Sequence, residues 1–218
     1  MKKTNVYLIP GQGADYRLFN NFDLGDSFLL KHIEYNIPKK GMSLKDYAVE
    51  LSKQIDYKSD FILVGTSMGG MLACEMMDFL TPKKVIIISS AKCRKELPAR
   101  YKYQKYFPLY KVLPGVIGKI GAIILQPIVE PDRNVEKDTF VKMLKAKHPK
   151  FMKRSIKMVI EWNRKELNDT VYHIHGNNDN TLPLKNISAN HIVKNGSHMM
   201  TLTRGKEISE LILSLIEN

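Results

Sequence analysis

The sequence predicts an α/β protein, a mainly parallel sheet of about six strands with helices on both faces, because short apolar runs alternate along it with helix-patterned stretches. Two further observations sharpen that class. The run Phe61–Val64 halts at Gly65 and passes through Ser67 directly into a helix-like stretch, Met68–Leu80. The alternation is then interrupted once, over residues 92–167, by a basic segment punctuated by proline. The organisation this implies is a core of residues 1–91 and 168–218 with an inserted helical lid, 92–167. A chain of 218 residues is long enough for one such domain with a full core.

Each element has its own signal. Val6–Pro10 forms the first strand and ends on Gly11-Gln12-Gly13; Phe28–Tyr35 contains the second. Ser43 starts a helix reaching Ile55, since Leu44, Tyr47, Ala48 and Leu51 recur at the spacing of one helical face. Phe61–Val64 is the third strand, and the helix from Met68 closes at Leu80, ahead of Pro82. Val85–Ser89 is the fourth strand, Val171–His175 and Ala189–Val193 are the last two, and Arg204–Ile216 is a terminal amphipathic helix. Inside residues 92–167, prolines and the series Gly115, Gly118, Gly121 cut the apolar stretch Leu109–Val129 into short helices and turns. Val135–Lys147 and Phe151–Asn163 read as two helices parted at Pro149. Phe140, Met143, Leu144, Ile156, Val159 and Ile160 face inward.

Composition removes several classes of function. No stretch approaches the roughly 18 consecutive apolar residues that mark a membrane span, so stable membrane insertion is not expected. Val6–Ile9, behind Lys2 and Lys3, is too short for the core of a secretory signal. Of the two cysteines, Cys74 reads as a buried thiol in the helix after Ser67. Cys93, flanked by Lys92 and Arg94, reads as a surface residue with no special role. A reduced, cytoplasmic protein is expected.

The net charge of +12 is unevenly spread. Residues 92–167 hold 19 Lys/Arg against 7 Asp/Glu, while the rest of the chain carries 15 of each sign. The whole excess therefore sits in the lid, and a basic insertion on a neutral scaffold suggests one binding surface. Nucleic acid is not expected as the partner, for neither a recognised motif nor a basic helix suited to a groove is apparent.

Ser67 stands between Gly65 and Gly69 at a strand-to-helix junction. Glycine two residues before and two after removes the Cβ atoms that would collide in a turn tight enough to project the hydroxyl. A serine hydroxyl needs a base, and the base a partner that orients it. Asp179 follows the strand Val171–His175, and His198 follows the last strand, ahead of the terminal helix. In a parallel sheet such groups gather beyond the carboxyl ends of the strands. The order Ser67, Asp179, His198 is that of a nucleophile-elbow triad. His173 and His175 share a strand face, as metal ligands could, but no third ligand is evident and no metal or cofactor is expected. Asp15 and Tyr16 have two open readings, pocket wall or packing.

Here the chain resembles the α/β-hydrolase family over nearly all its length. Gly65-Thr66-Ser67-Met68-Gly69-Gly70 is similar to the family's elbow. His175-Gly176-x-x-Asp179 is similar to its acid loop, and Gly196-Ser197-His198 to its Gly-His, with one residue added between. Pro10-Gly11-Gln12-Gly13 stands where His-Gly is usual. The resemblance implies an oxyanion hole made of the backbone N–H groups of Gln12 and Met68. It also implies that the chain begins at the family's third strand, without the usual leading hairpin. Some members place the acid after the strand before the lid; here that position reads Ser89-Ser90-Ala91, with Glu96 the first carboxylate, which favours Asp179.

The expected activity is hydrolysis of a carboxylic ester or thioester through an acyl-enzyme on Ser67. Tyr101, Tyr103, Tyr106, Phe107, Leu109, Tyr110, Ile123, Ile124 and Leu125 suggest an apolar acyl pocket. The basic lid suggests an anionic handle on a small-molecule or carrier-linked substrate: a carboxylate, coenzyme A or an acidic acyl carrier protein. The resemblance extends to members that cleave carrier-linked esters, such as pimeloyl-carrier methyl esterases. Two alternatives stay open: a lyase similar to the family's menaquinone-pathway synthase, and a non-catalytic binder of an acidic partner through the lid.

Overall fold

The computed structural model describes residues 3–104, 135–165 and 169–217. Among them, six strands form one sheet: β1 (Thr4–Ile9), β2 (Phe28–His32), β3 (Phe61–Thr66), β4 (Lys84–Ile88), β5 (Val171–Gly176) and β6 (His191–Val193). Their order is β2-β1-β3-β4-β5-β6 and every neighbouring pair runs parallel. The chain moves outward from β1 to β2 and then returns to the other side of β1, so the order reverses between β1 and β3. Such a reversal opens a crevice at the carboxyl ends of the two central strands.

Alternate strand residues sort the core into two layers, as the twofold side-chain period of a strand requires. Tyr7, Ile9, Leu63, Val85 and Ile87 meet helices α1 (Leu44–Ser52) and α2 (Met68–Met76) on one face. Val6, Leu8, Ile62, Val64, Ile86 and Ile88 meet Leu18, Phe19 and the C-terminal helix on the other. Fully burying each such side chain contributes about 1.5–3 kcal/mol. α1 opens with a capping box in which Ser43 and Asp46 satisfy each other's backbone N–H. It buries the four residues whose spacing predicted it, yet ends at Ser52. Ile55 is still buried, but in a turn whose N–H donates to Ser52. α2 likewise stops at Met76, and Asp78 and Phe79 wind on in tighter turns.

Among the described residues, the α-helices between β4 and β5 are α3 (Ala99–Tyr103), α4 (Lys137–Ala146) and α5 (Pro149–Glu161). Met143 joins one core layer and the adjacent Leu144 the other, so α4 reaches both layers. Pro149 sits in the first turn of α5, where its missing N–H costs nothing. Ser155 and Met158 are buried on α5, whereas Ile156, expected inside, is half-buried, a small rotation of the predicted face. A short helix not foreseen in the sequence, α6 (Met200–Thr203), precedes α7 (Gly205–Glu217). Cys93 is fully buried, contrary to the surface reading, because the Arg94 N–H donates to the Arg164 carbonyl and ties this segment to the chain after α5. Cys74 is buried as expected.

Among the described residues no helix is long and apolar enough to cross a membrane. The expectations for Tyr106, Phe107, Tyr110 and Leu109–Val129, with Ile123, Ile124 and Leu125, lie outside the described residues.

Candidate active site

The site begins with a steric demand at the β3–α2 junction. A Cβ built on Gly65 would lie 2.4 Å from the Gly69 carbonyl oxygen, and one on Gly69 only 2.1 Å from the Ile9 oxygen. Only glycine permits those approaches. Ser67 itself is held at φ 54°, ψ −120°, a conformation that costs a non-glycine residue about 1–3 kcal/mol and persists only where the surroundings enforce it. Its N–H donates to Ile88, and its carbonyl accepts from the Gly70 N–H and the Ser90 hydroxyl. β1, β4 and α2 thus all grip the turn.

Two loops deliver its partners. The Ser67 hydroxyl donates to His198 Nε2 at 3.0 Å, and His198 Nδ1 donates to Asp179 Oδ2 at 2.8 Å. The loops after β5 and β6 also need glycine, since a Cβ on Gly176 would meet the Gly196 oxygen at 2.1 Å. The Asn178 N–H closes the pair by donating to Gly196. Asp179 is buried and takes the Leu182 N–H on its other oxygen at 2.7 Å. Burial pushes its carboxyl upward, but the His198 charge and hydrogen bond, His175 and the Leu182 N–H together hold it below the usual range. An ionised Asp179 fixes His198 with its proton on Nδ1 and leaves Nε2 to accept from the serine. The line can therefore take a proton from Ser67 and return it to a leaving group.

The histidines of β5 support this loop. His175 Nε2 donates to the Leu182 carbonyl at 2.8 Å, and His173 Nε2 lies 3.1 Å from His175 Nδ1. Burial holds both imidazoles below their ordinary range, His173 most strongly, so both are neutral at neutral pH. Among the described residues no three His, Cys, Asp or Glu side chains gather as metal ligands would.

Gln12 and Met68 each lie one residue from this turn's contacts, Gln12 after Gly11 and Met68 after Ser67. Met68 opens α2, where a first-turn N–H has no acceptor within the helix. Gly11 lies against the turn, its Cβ position 3.4 Å from Ser67 Cβ. Among the described residues neither the Gln12 nor the Met68 backbone N–H donates to a protein carbonyl. The Gln12 side chain is anchored elsewhere, donating to Ser155 Oγ on α5 at 2.8 Å.

The remaining candidates fall outside this line. Glu96 is buried and accepts the backbone N–H groups of Lys92 and Ser188, so it is committed to structure. Asp15 caps the turn after it and grips Arg17 with both oxygens at 2.9 and 2.6 Å, while Tyr16 is exposed. Sequence reasoning missed Tyr35, whose hydroxyl donates to the Pro10 carbonyl, and Ser155. Both act across long stretches of chain and leave no local signal. The Gly176–Gly196 contact was in principle readable, since both glycines sit where a strand ends beside a site residue.

No protein-family model matches the chain, and no curated protein matches it in sequence. Solved structures do. A thermophilic esterase from Thermogutta terrifontis aligns with TM-score 0.75 at 13% identity, over 99% of this chain and 90% of that one. An esterase from Exiguobacterium antarcticum gives 0.71 at 14%, over 100% and 93%, and MenH from S. aureus 0.68 at 13%, over 100% and 95%. At these identities the likeness speaks for fold and not for substrate. It spans the whole chain rather than one motif, and the fold it establishes is the α/β-hydrolase fold.

Proposed function

We propose that this protein is a serine hydrolase that cleaves a carboxylic ester or thioester through an acyl-enzyme on Ser67. One observation carries the reading: Ser67, His198 and Asp179 form a continuous hydrogen-bonded line at a strained turn, beside two backbone N–H groups without protein acceptors among the described residues. Ser67 attacks the carbonyl carbon as His198 Nε2 takes its proton. The backbone N–H groups of Gln12 and Met68 receive the oxyanion, where preorganised donors have their largest effect. The intermediate collapses and the alcohol or thiol leaves with the proton from His198. Water, deprotonated by the same imidazole, then frees the acid and regenerates Ser67. Esterases of the same fold from Thermogutta and Exiguobacterium are consistent with this reading.

Residues 92–167 act in this reading as a lid on the core formed by 1–91 and 168–218. Its lysines and arginines draw in a small-molecule or carrier-linked acyl substrate with an anionic handle, such as coenzyme A or an acidic acyl carrier protein. The two free, buried cysteines suit a reducing, cytoplasmic setting. A lyase of the same fold would keep the same three side chains, and only products separate it from a hydrolase. A pure binder has no need of an aligned, strained serine.

The test is an ester and thioester panel of graded acyl length, with product analysis at two ionic strengths. We expect acid and alcohol or thiol as products. Surface attraction is screened over roughly 8–10 Å at physiological salt, so kcat/KM for an acidic carrier-linked substrate should fall steeply with salt while a small neutral ester barely responds. Carbon–carbon or elimination products without ester turnover would replace this reading with the lyase. Equal salt responses would remove the anionic handle and leave the hydrolase.

A further inference from the structure

Among the basic side chains of α4, α5 and the turn between them, one differs in setting. Lys142, Lys145, Lys150 and Lys153 are exposed to solvent. Arg154 donates to the Pro38 carbonyl at 2.6 Å, and Lys157 lies 3.5 Å from Glu161. Lys147, which ends α4, is half-buried, with its Nζ 5.4 Å from the ring centroid of Tyr35 and 5.4 Å from that of Phe151. Those two rings stack on each other. Tyr35 in turn donates its hydroxyl to the Pro10 carbonyl, next to Gly11, and so fixes the ammonium beside the loop that carries Gln12.

Asp15, whose charge acts on the Lys147 ammonium, is already gripped on both oxygens by Arg17 through Nε and Nη2. Among the described residues Lys147 has no carboxylate partner within ion-pair distance. Burial pulls its pKa below the ordinary lysine range, Asp15 resisting and Arg17 adding to the shift. An ammonium has three donors and no acceptor, and aromatic faces replace only part of the water it has lost. An anion placed against it recovers much of that loss.

We propose that Lys147 determines specificity at the Ser67 site by receiving the anionic oxygens of a carboxylate or phosphate carried by the acyl substrate. The exposed lysines around it attract an anion from a distance; Lys147 holds it. Tyr35 and Phe151 belong to the core layer that packs against α1 and α2, so the rings that face the ammonium are held in place. This rests on the hydrolase reading above, and its test is arranged so that the two fail separately.

Three methyl esters of equal acyl length serve as probes: one neutral, one ending in a free carboxylate, one ending in a phosphopantetheine thioester. Their Kd values are measured on Ser67→Ala by calorimetry, so that binding is read without turnover. Adding Lys147→Met, which keeps the stem and removes the charge, should lower the preference for an anionic ester over the neutral one by about 10- to 100-fold, the usual weight of a hydrogen bond to a charged group. Whichever anionic ester loses its preference names the group. Lys147→Arg should restore most of it. An unchanged preference in Lys147→Met overturns the proposal. So does a Lys147→Arg variant as poor as Lys147→Met, since lost packing against the two rings would then explain the effect. Absence of hydrolysis by the protein with Ser67 intact counts against the hydrolase reading alone.

Discussion

The turn at Ser67 and the helix pair α4–α5 border the same loop after β1, yet they are held by different means. At the turn the constraints are backbone against backbone: Gly65 against Gly69, Gly69 against Ile9, the Ser67 N–H on Ile88. On the helix pair they run through side chains: Gln12 on Ser155, Lys147 on Tyr35 and Phe151, and the Leu144 methyl beside Gly13. Backbone contacts admit almost no substitution, whereas side chains can shift by tenths of an ångström and be exchanged. In the reading proposed above, the chemistry rests on the rigid region and the selectivity on the adaptable one.

That contrast can be broken most sharply with two glycines. Alanine at Gly69 must displace the Ile9 and Pro10 carbonyls, whereas alanine at Gly13 meets only the Leu144 Cδ1 methyl at 3.3 Å. Gly69→Ala should cost more than about 4 kcal/mol, in the range reserved for specific structural failures. For a domain of this size that is a fall in Tm of roughly 8–16 °C or loss of the folded state. Gly13→Ala should move Tm by no more than about 3 °C. Thermal melts followed by circular dichroism decide it, and equal shifts would erase the distinction between the two regions.

A second substitution leaves the fold alone and strikes the chemistry. Asp179→Asn keeps the size of the side chain but no longer fixes the proton on His198 Nδ1. The rate on an ester should fall about 10⁴-fold with the melt little changed. Near-normal activity in Asp179→Asn, with loss in Glu96→Gln, would move the orienting acid to the segment after β4.

The difference between the regions also explains what the sequence disclosed. The elbow, the acid loop and the histidine loop are each local, a few residues at the end of a strand, and serine, aspartate and histidine have few reasons to occur there in that order. Six parallel strands were legible because each is an apolar run between helix-patterned stretches. Ile55 shows the limit of such patterns: its spacing continues the face of α1 and it is buried, but the backbone has already left the helix. Periodicity reports burial before it reports helix. Ser155 and Ile156 exchanged places for a similar reason, since a polar residue that is buried with a partner such as Gln12 is invisible to an apolar count. Lys147 was one basic residue among many. Its setting depends on Tyr35, more than a hundred residues earlier, and only the fold brings them together.

The central claim is that Ser67 is the nucleophile, and covalent labelling tests it most directly. The protein is treated with a serine-directed fluorophosphonate, and its intact mass and digested peptides are read by mass spectrometry. A single adduct is expected on the peptide that carries Ser67, formed faster with His198 intact than in His198→Ala, and absent in Ser67→Ala. Labelling that persists in Ser67→Ala, or that settles on another residue in the unaltered protein, would contradict it.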